Sequence, residues 1–188
     1  MATVSQSAPN ITLKKRARLF FLIVPAIFLA DYFTKHLVKR TMVPYEETIS
    51  VIDGLVKLRF IYNEGIAFGI NPVFLSGWLL ILISCSITII LIVYIFFSHY
   101  GDFIGLVALC LIAGGAIGNL SDRIVYGRVV DFIEIGIKDL TWPVFNVADI
   151  SVTCGAILLV LCLFFQKPGA AGFESSETSG QSPPTKRS

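Results

Sequence analysis

From Pro72 to Ser98 no residue carries a charge, and from Phe103 to Ser121 none does either. Runs this apolar have no use for a soluble surface, and a helix of about 20 such residues crosses the hydrocarbon of a bilayer. Two similar runs flank them. The first, about 19–36, is apolar until Asp31 and Lys35 near its end; the last, about 143–165, has Asp149 as its one charge. With 55% hydrophobic and 15% charged residues, the whole chain falls outside the range of ordinary soluble domains. The expected fold is an all-α membrane protein, a bundle of four transmembrane helices at about 19–36, 72–98, 103–121 and 143–165, forming one domain over 14–166.

The first run is read as a retained helix rather than a cleaved signal peptide. Asp31, Tyr32 and Lys35 stand where a cleavage site would require small residues. Lys14, Lys15, Arg16 and Arg18 precede it, which places the N-terminus in the cytoplasm by the positive-inside rule, and an even number of spans returns the C-terminus there. Counted over all the segments, that cluster included, Lys and Arg are almost evenly divided between the two sides, so the orientation rests on the first cluster alone. Cys85, Cys110, Cys154 and Cys162 all fall inside the apolar runs without metal-ligand spacing, and small core packing is expected of them. Segments 1–13 and 167–188 are rich in small, polar and turn-forming residues and are expected to be disordered.

Between the first two runs lies a long connection, about 37–71. Its short apolar stretches, split by Asp53-Gly54, predict a β-hairpin. Open strand edges are not tolerated in lipid, so this unit belongs at the outer interface. Only His99 to Asp102 join the second and third runs, which makes those helices antiparallel neighbours. The third connection contains VVDFIEIGI, either a short strand or an interfacial segment.

A carboxylate inside an apolar helix is costly and marks a functional site by default. Asp149 is that residue, about 10 Å along a helix that would start near Trp142. Asn146, Asp149 and Thr153 are spaced to share one helical face. The preceding connection can bring Asp131 to the same face. Two carboxylates held close do not ionise independently, so one can keep a proton while the other activates water, as in aspartic peptidases. The plainer alternative makes Asp149 the partner of a Lys or Arg and Asp131 an ordinary loop acid. Gly114, Gly115 and Gly118 predict close helix packing. Asp122 and Arg123 follow as a possible ion pair, Asp31 and Lys35 as another at i,i+4, and Asn63-Glu64-Gly65 as a turn.

Together the motifs DYFTK (31–35), NEGIAFG (63–69), GGAIGNLSDR (114–123), VVDF (129–132) and FNVAD (145–149) resemble those of bacterial lipoprotein signal peptidase, the type II signal peptidase. Order, spacing and four-helix frame also match. The resemblance implies Asp131 and Asp149 as the catalytic pair. Asn63, Gly65, Asn119, Asp122, Arg123 and Asn146 become substrate-site or supporting residues, and Asp31 and Lys35 the first-helix motif. It further implies a small extracytoplasmic β-rich cradle built from 37–71. The implied substrate is a prolipoprotein cut before its diacylglyceryl-modified Cys, with acyl chains lying between helices where the small residues of the third helix leave room. No cofactor or metal is expected. The expected partners are the lipidated precursor and membrane lipids, not nucleic acid or a second subunit. The expected location is the bacterial inner membrane, with the active site toward the outer leaflet. A rival reading, a non-enzymatic four-helix protein relaying protons or ions through Asp31 and Asp149, leaves the three asparagines without a shared purpose.

Overall fold

The computed structural model describes residues 11–65, 77–98, 102–137 and 140–165. Among these residues four helices are long and apolar enough to cross a membrane: α1 (Leu13–Thr41), α2 (Gly77–Phe97), α3 (Phe103–Tyr126) and α4 (Val147–Phe165). Four antiparallel strands, β1 (Thr48–Ile52), β2 (Val56–Asn63), β3 (Val129–Ile137) and β4 (Leu140–Thr141), pair in the order β1-β2-β3-β4. The protein is thus an integral membrane helix bundle carrying a small sheet, as the apolar runs and the Asp53-Gly54 turn foretold. Much of the tails at 1–13 and 167–188 and the start of the second span at 72–76 lie outside the described residues.

Helix ends depart from the hydropathy reading, for local reasons. The α1 helix begins at Leu13, so the basic cluster forms its first turns rather than a preceding tail. It also runs on past His36 to Thr41, because Lys39 and Arg40 are good helix formers whatever their polarity. Asp102 caps α3 by accepting from Gly105 N at 2.7 Å. That helix continues through the polar SDRIVY to Tyr126, where Gly127 takes a left-handed φ of 71° and donates to Arg123 O. This cap reverses the chain sharply enough for β3 to start at Val129. The α4 helix starts at Val147, later than the expected 143, because Pro143 to Phe145 run alongside β3, Phe145 exchanging backbone hydrogen bonds with Ile133.

The sheet draws on the connections after α1 and after α3; the resemblance implied a cradle from 37–71, and the strand alternative left open for VVDFIEIGI is the one that forms. VVDFIEIGI is a strand, so Asp131 sits in a hydrogen-bonded ladder and not in a loop. The β1–β2 turn has Gly54 at φ +74°, a conformation that favours glycine, and closes with Leu55 N on Ile52 O.

The α3 helix packs against the other three helices. Its core joins Leu106, Leu109, Cys110 and Ala113 to Val24 of α1 and Ile95 of α2. A second core, made of Val38, Met42, Phe60, Val130 and Phe132, fastens the end of α1 to the sheet. The glycines are taken up by helix contacts: a Cβ on Gly115 would run into Ala148 O, and on Gly114 into Ile27. Gly118 lies against Asp31 and Ala148, and Gly155 of α4 against Ala108 O and Ile112. The glycine cluster of α3 is thus used for close contact with α1 and α4, as its spacing predicted. Of the cysteines only Cys110 is a core packer, and Cys154 is exposed on the outer surface of α4.

Candidate active site

The N-terminus of α4 organises the site. Asn146 precedes the helix and caps it: its Oδ1 accepts from Asp149 N at 2.9 Å, while Asp149 Oδ2 accepts from Asn146 N at 3.1 Å. This reciprocal box satisfies two groups that a helix start leaves open. Asp31, from α1, satisfies another by accepting from Ala148 N at 2.9 Å. Asp149 therefore lies in the first turn, shallower than a helix from 143 would place it, and is half-buried. Thr153 is exposed and does not join the face predicted for it.

Asp131 reaches the same place from β3 and is 1% exposed. Asn63 Nδ2 donates to its Oδ2 at 2.9 Å, and Asn146 Nδ2 donates to its Oδ1 at 2.7 Å. Burial pushes the Asp131 carboxyl up to about 6; the Asp149 charge adds to the rise, and the bonds from Asn63 and Asn146 oppose it. Asn146, itself fully buried, also donates to Asn119 Oδ1 at 3.0 Å, and Asn119 Nδ2 donates to Asp149 Oδ1 at 2.7 Å. The two carboxylates are thus bridged by two amides that fix the orientation of both.

Beneath them Lys35 is a buried hub. Its Nζ contacts Asp31 Oδ2 at 2.7 Å, Asp122 Oδ2 at 3.0 Å and Asn119 Oδ1 at 3.1 Å. Asp31 holds the start of α4, and Asp122 Oδ2 accepts from Val130 N at 3.1 Å, holding the start of β3. One ammonium therefore links the two elements that carry Asp149 and Asp131. The Asp31–Lys35 pair was expected; the Asp122–Arg123 pair does not form, because adjacent helical residues point apart and Lys35 takes Asp122. Arg123 instead donates to Gly65 O at 3.3 Å, and its charge acts on Asp149, Asp131 and Asp122. Gly65 N closes a turn on Asn63 Oδ1 at 2.9 Å, which orients the Asn63 amide. The rest of the NEGIAFG motif, 66–69, lies outside the described residues.

Every predicted site residue thus belongs to one connected network, from Asp31 and Lys35 through Asn119, Asp122 and Asn146 to both acids, with Asn63, Gly65 and Arg123 at its edge. Sequence reasoning missed two residues beside it. Tyr45, with φ at 66°, brackets the main chain of Tyr62, its hydroxyl accepting from Tyr62 N and donating to Tyr62 O. Arg128 stacks on the Tyr62 ring at 3.6 Å. Nothing local in the sequence signals either, since both depend on strand pairing. Among the described residues no three His, Cys, Asp or Glu side chains are grouped to hold a metal ion.

A family model described as signal peptidase (SPase) II matches residues 23–165. The lipoprotein signal peptidase of Aquifex aeolicus is 38% identical over 161 residues, spanning 83% of this chain and 92% of that one. The one from Chlorobium phaeobacteroides is 40% identical over 153 residues, spanning 77% and 94%. Two solved structures, each described as a bacterial membrane enzyme, share the fold. One has a TM-score of 0.69 at 28% identity over 85% of this chain and 93% of that chain. The other has a TM-score of 0.68 at 27% identity over 86% and 100%. The match runs from within α1 to the end of α4 and includes every strand and every residue of the site just described, and the chain belongs to the signal peptidase II family.

Proposed function

We propose that Asp131 and Asp149 are the catalytic pair of this peptidase, and that it removes the signal peptide from prolipoproteins by hydrolysing the bond before the lipidated Cys. The observation that carries this reading is the bridge: two carboxylates from different elements, locked to each other by Asn146 and Asn119. Asp131, buried and raised to about 6, is the group that holds a proton more readily than an ordinary carboxyl and is protonated below that pH. Asp149, half-buried, is the one open to water. In the reaction Asp149 takes a proton from a water whose oxygen attacks the scissile carbonyl, and Asp131 gives its proton to the carbonyl oxygen. As the tetrahedral diol collapses and the C–N bond breaks, Asp149 passes its proton to the leaving amine and the protonated hydroxyl of the diol returns its proton to Asp131, which restores the starting state. Arg123 and Asn63 act as positioning groups, the former through Gly65 and the latter through Asp131.

The same reading places the chain as a monomer in the bacterial inner membrane, surrounded by lipid. Its termini are cytoplasmic and its sheet and dyad face the outer leaflet, where a lipid-anchored Cys presents its peptide bond. The test is mass spectrometry of a purified diacylglyceryl-modified precursor incubated with wild type, Asp131→Asn and Asp149→Asn. Each variant is expected to bind the precursor and leave its mass unchanged. Cleavage at the wild-type rate by either one would overturn the dyad.

A further inference from the structure

Strand β2 outlasts its partner on one side. Among the described residues its pairing with β1 ends at Thr48 with Arg59, whereas β3 accompanies it to its last residue, Asn63 with Val129. Alternate residues of a strand turn their N–H and C=O to opposite edges. Phe60 and Tyr62 thus present theirs to the side that β1 has left, and Ile61 and Asn63 to β3. Tyr45, in the connection between α1 and β1, takes up that side. Its N donates to Phe60 O at 2.9 Å, while its hydroxyl accepts from Tyr62 N at 3.1 Å and donates to Tyr62 O at 3.0 Å. One phenol stands in for a residue of a neighbouring strand, because a hydroxyl is both donor and acceptor.

Two features set this contact apart from core packing. Tyr45 is 62% exposed, so burial does not hold its ring. Its φ of 66° is a left-handed conformation, costly for a residue with a Cβ and kept only where the surroundings fix it. What it grips is the neighbour of Asn63, whose amide donates to Asp131 Oδ2 at 2.9 Å and accepts from Gly65 N. We propose that Tyr45 is a positioning residue of the catalytic site: by closing the open edge of β2 it holds Asn63 against Asp131. This role rests on the acid pair proposed above and adds a residue outside it. Burial raises the Asp131 carboxyl and the Asn63 amide opposes the rise, so loosening the amide lets the carboxyl rise further. The other groups facing Asp131 are Asp149 and Asn146 from the α4 side, Lys35 with its partner Asp31 from α1, and Arg123 and Asp122 from α3. The phenol acts on Tyr62 instead, whose ring carries Arg128 at 3.6 Å.

Tyr45→Phe removes only the hydroxyl. Against a lipidated precursor it is expected to lower kcat about tenfold while KM changes less than about twofold. The alkaline limb of the pH profile, which reports loss of the Asp131 proton, should move up by about half a unit. Infrared titration of isotope-labelled Asp, with Asp131→Asn as the blank, should show the same upward shift without substrate. Tyr45→Gly has no phenol but is free of the backbone strain, and it should share both shifts while folding at least as stably as wild type. A Tyr45→Phe protein whose limb and carboxyl titration stay at the wild-type positions overturns the role. Lost activity without either shift does so too, since Tyr45 would then serve the fold alone. Wild-type kinetics in Tyr45→Gly also overturn it. An active Asp131→Asn would bring down the acid pair itself. An inactive Asp131→Asn beside an unmoved carboxyl in Tyr45→Phe overturns the Tyr45 role alone.

Discussion

In the proposed reaction Asp131 and Asp149 divide the labour because one is buried in a sheet and the other opens a helix. The pH dependence belongs to Asp131. Its carboxyl sits near 6 in the folded protein against 3.8 unfolded, so the folded state binds the extra proton between those values. Its contribution is therefore most favourable below about 4 and is lost as pH rises through about 6. Relative to Asp131→Asn, which cannot titrate, wild-type stability should fall across that window by about 3 kcal/mol, read from unfolding in micelles at stepped pH. A constant difference would contradict the assignment. Infrared spectra of Asp-labelled protein provide a second check. Asp149→Asn removes a charge that raises the Asp131 carboxyl, so its titration should move down. Asn146 is the most consequential neutral residue, since one amide both caps α4 and bonds Asp131. Asn146→Ala should cost about 1–2 kcal/mol for the cap and lower kcat more than KM. The two acids were legible in the sequence as costly charges near apolar runs. The cap was not, because hydropathy ran the helix through Pro143 and put Asn146 on its face.

At the scale of elements, Lys35 sets how α1, α3, α4 and β3 stand to one another. Its two carboxylate partners are each spoken for by a backbone N–H, Ala148 on α4 and Val130 on β3. Replacing Lys35 with Met leaves Asp31 and Asp122 buried without a cation, a loss of about 3–5 kcal/mol in chemical unfolding. Asp31→Asn added to Lys35→Met should recover part of it, and no recovery would mean that packing, not charge, is what Lys35 supplies. The glycine contacts act at the same scale. Gly118→Ala brings a Cβ to 2.7 Å from Asp31 Oδ2 and 3.2 Å from Ala148 Cβ, so it pushes the cap and α4 together. A destabilisation of about 1–3 kcal/mol with a larger loss of activity is expected. The sequence marked Asp31-Lys35 by its i,i+4 spacing and the glycines by their clustering. It hid the Asp122 partner and the α4 cap, because pairs that cross from α1 to β3 or α4 leave no periodic trace.

For the whole molecule, the decisive fact is where the dyad lies along the membrane normal. The bundle was readable from its apolar runs, since lipid demands continuous helices with satisfied backbones. The sheet was half readable: its hairpin had a turn signature, while β3 looked equally like an interfacial segment until its pairing with β2 was seen. That pairing lifts Asp131 to the level of the first turn of α4, and so fixes the height of the site. The 19 residues of α4 span about 28 Å, close to the hydrocarbon thickness of an ordinary bilayer. With the membrane boundary at the start of α4, as the proposed function has it, Asp149, two positions inside, lies about 3 Å below it, within reach of water and of a lipid-borne peptide bond. Membrane thickness should consequently tune the reaction. In proteoliposomes of phosphatidylcholines of increasing chain length, kcat/KM is expected to peak where hydrocarbon thickness matches α4 and to fall several-fold in the thickest bilayers. There Asp149 is drawn below the water boundary or the helices tilt to compensate. Unfolding stability should change far less than activity across the same series, because the Lys35 network and the glycine contacts are internal to the protein. A flat activity profile would mean that the site does not depend on its depth, and the link between the start of α4 and catalysis would fall.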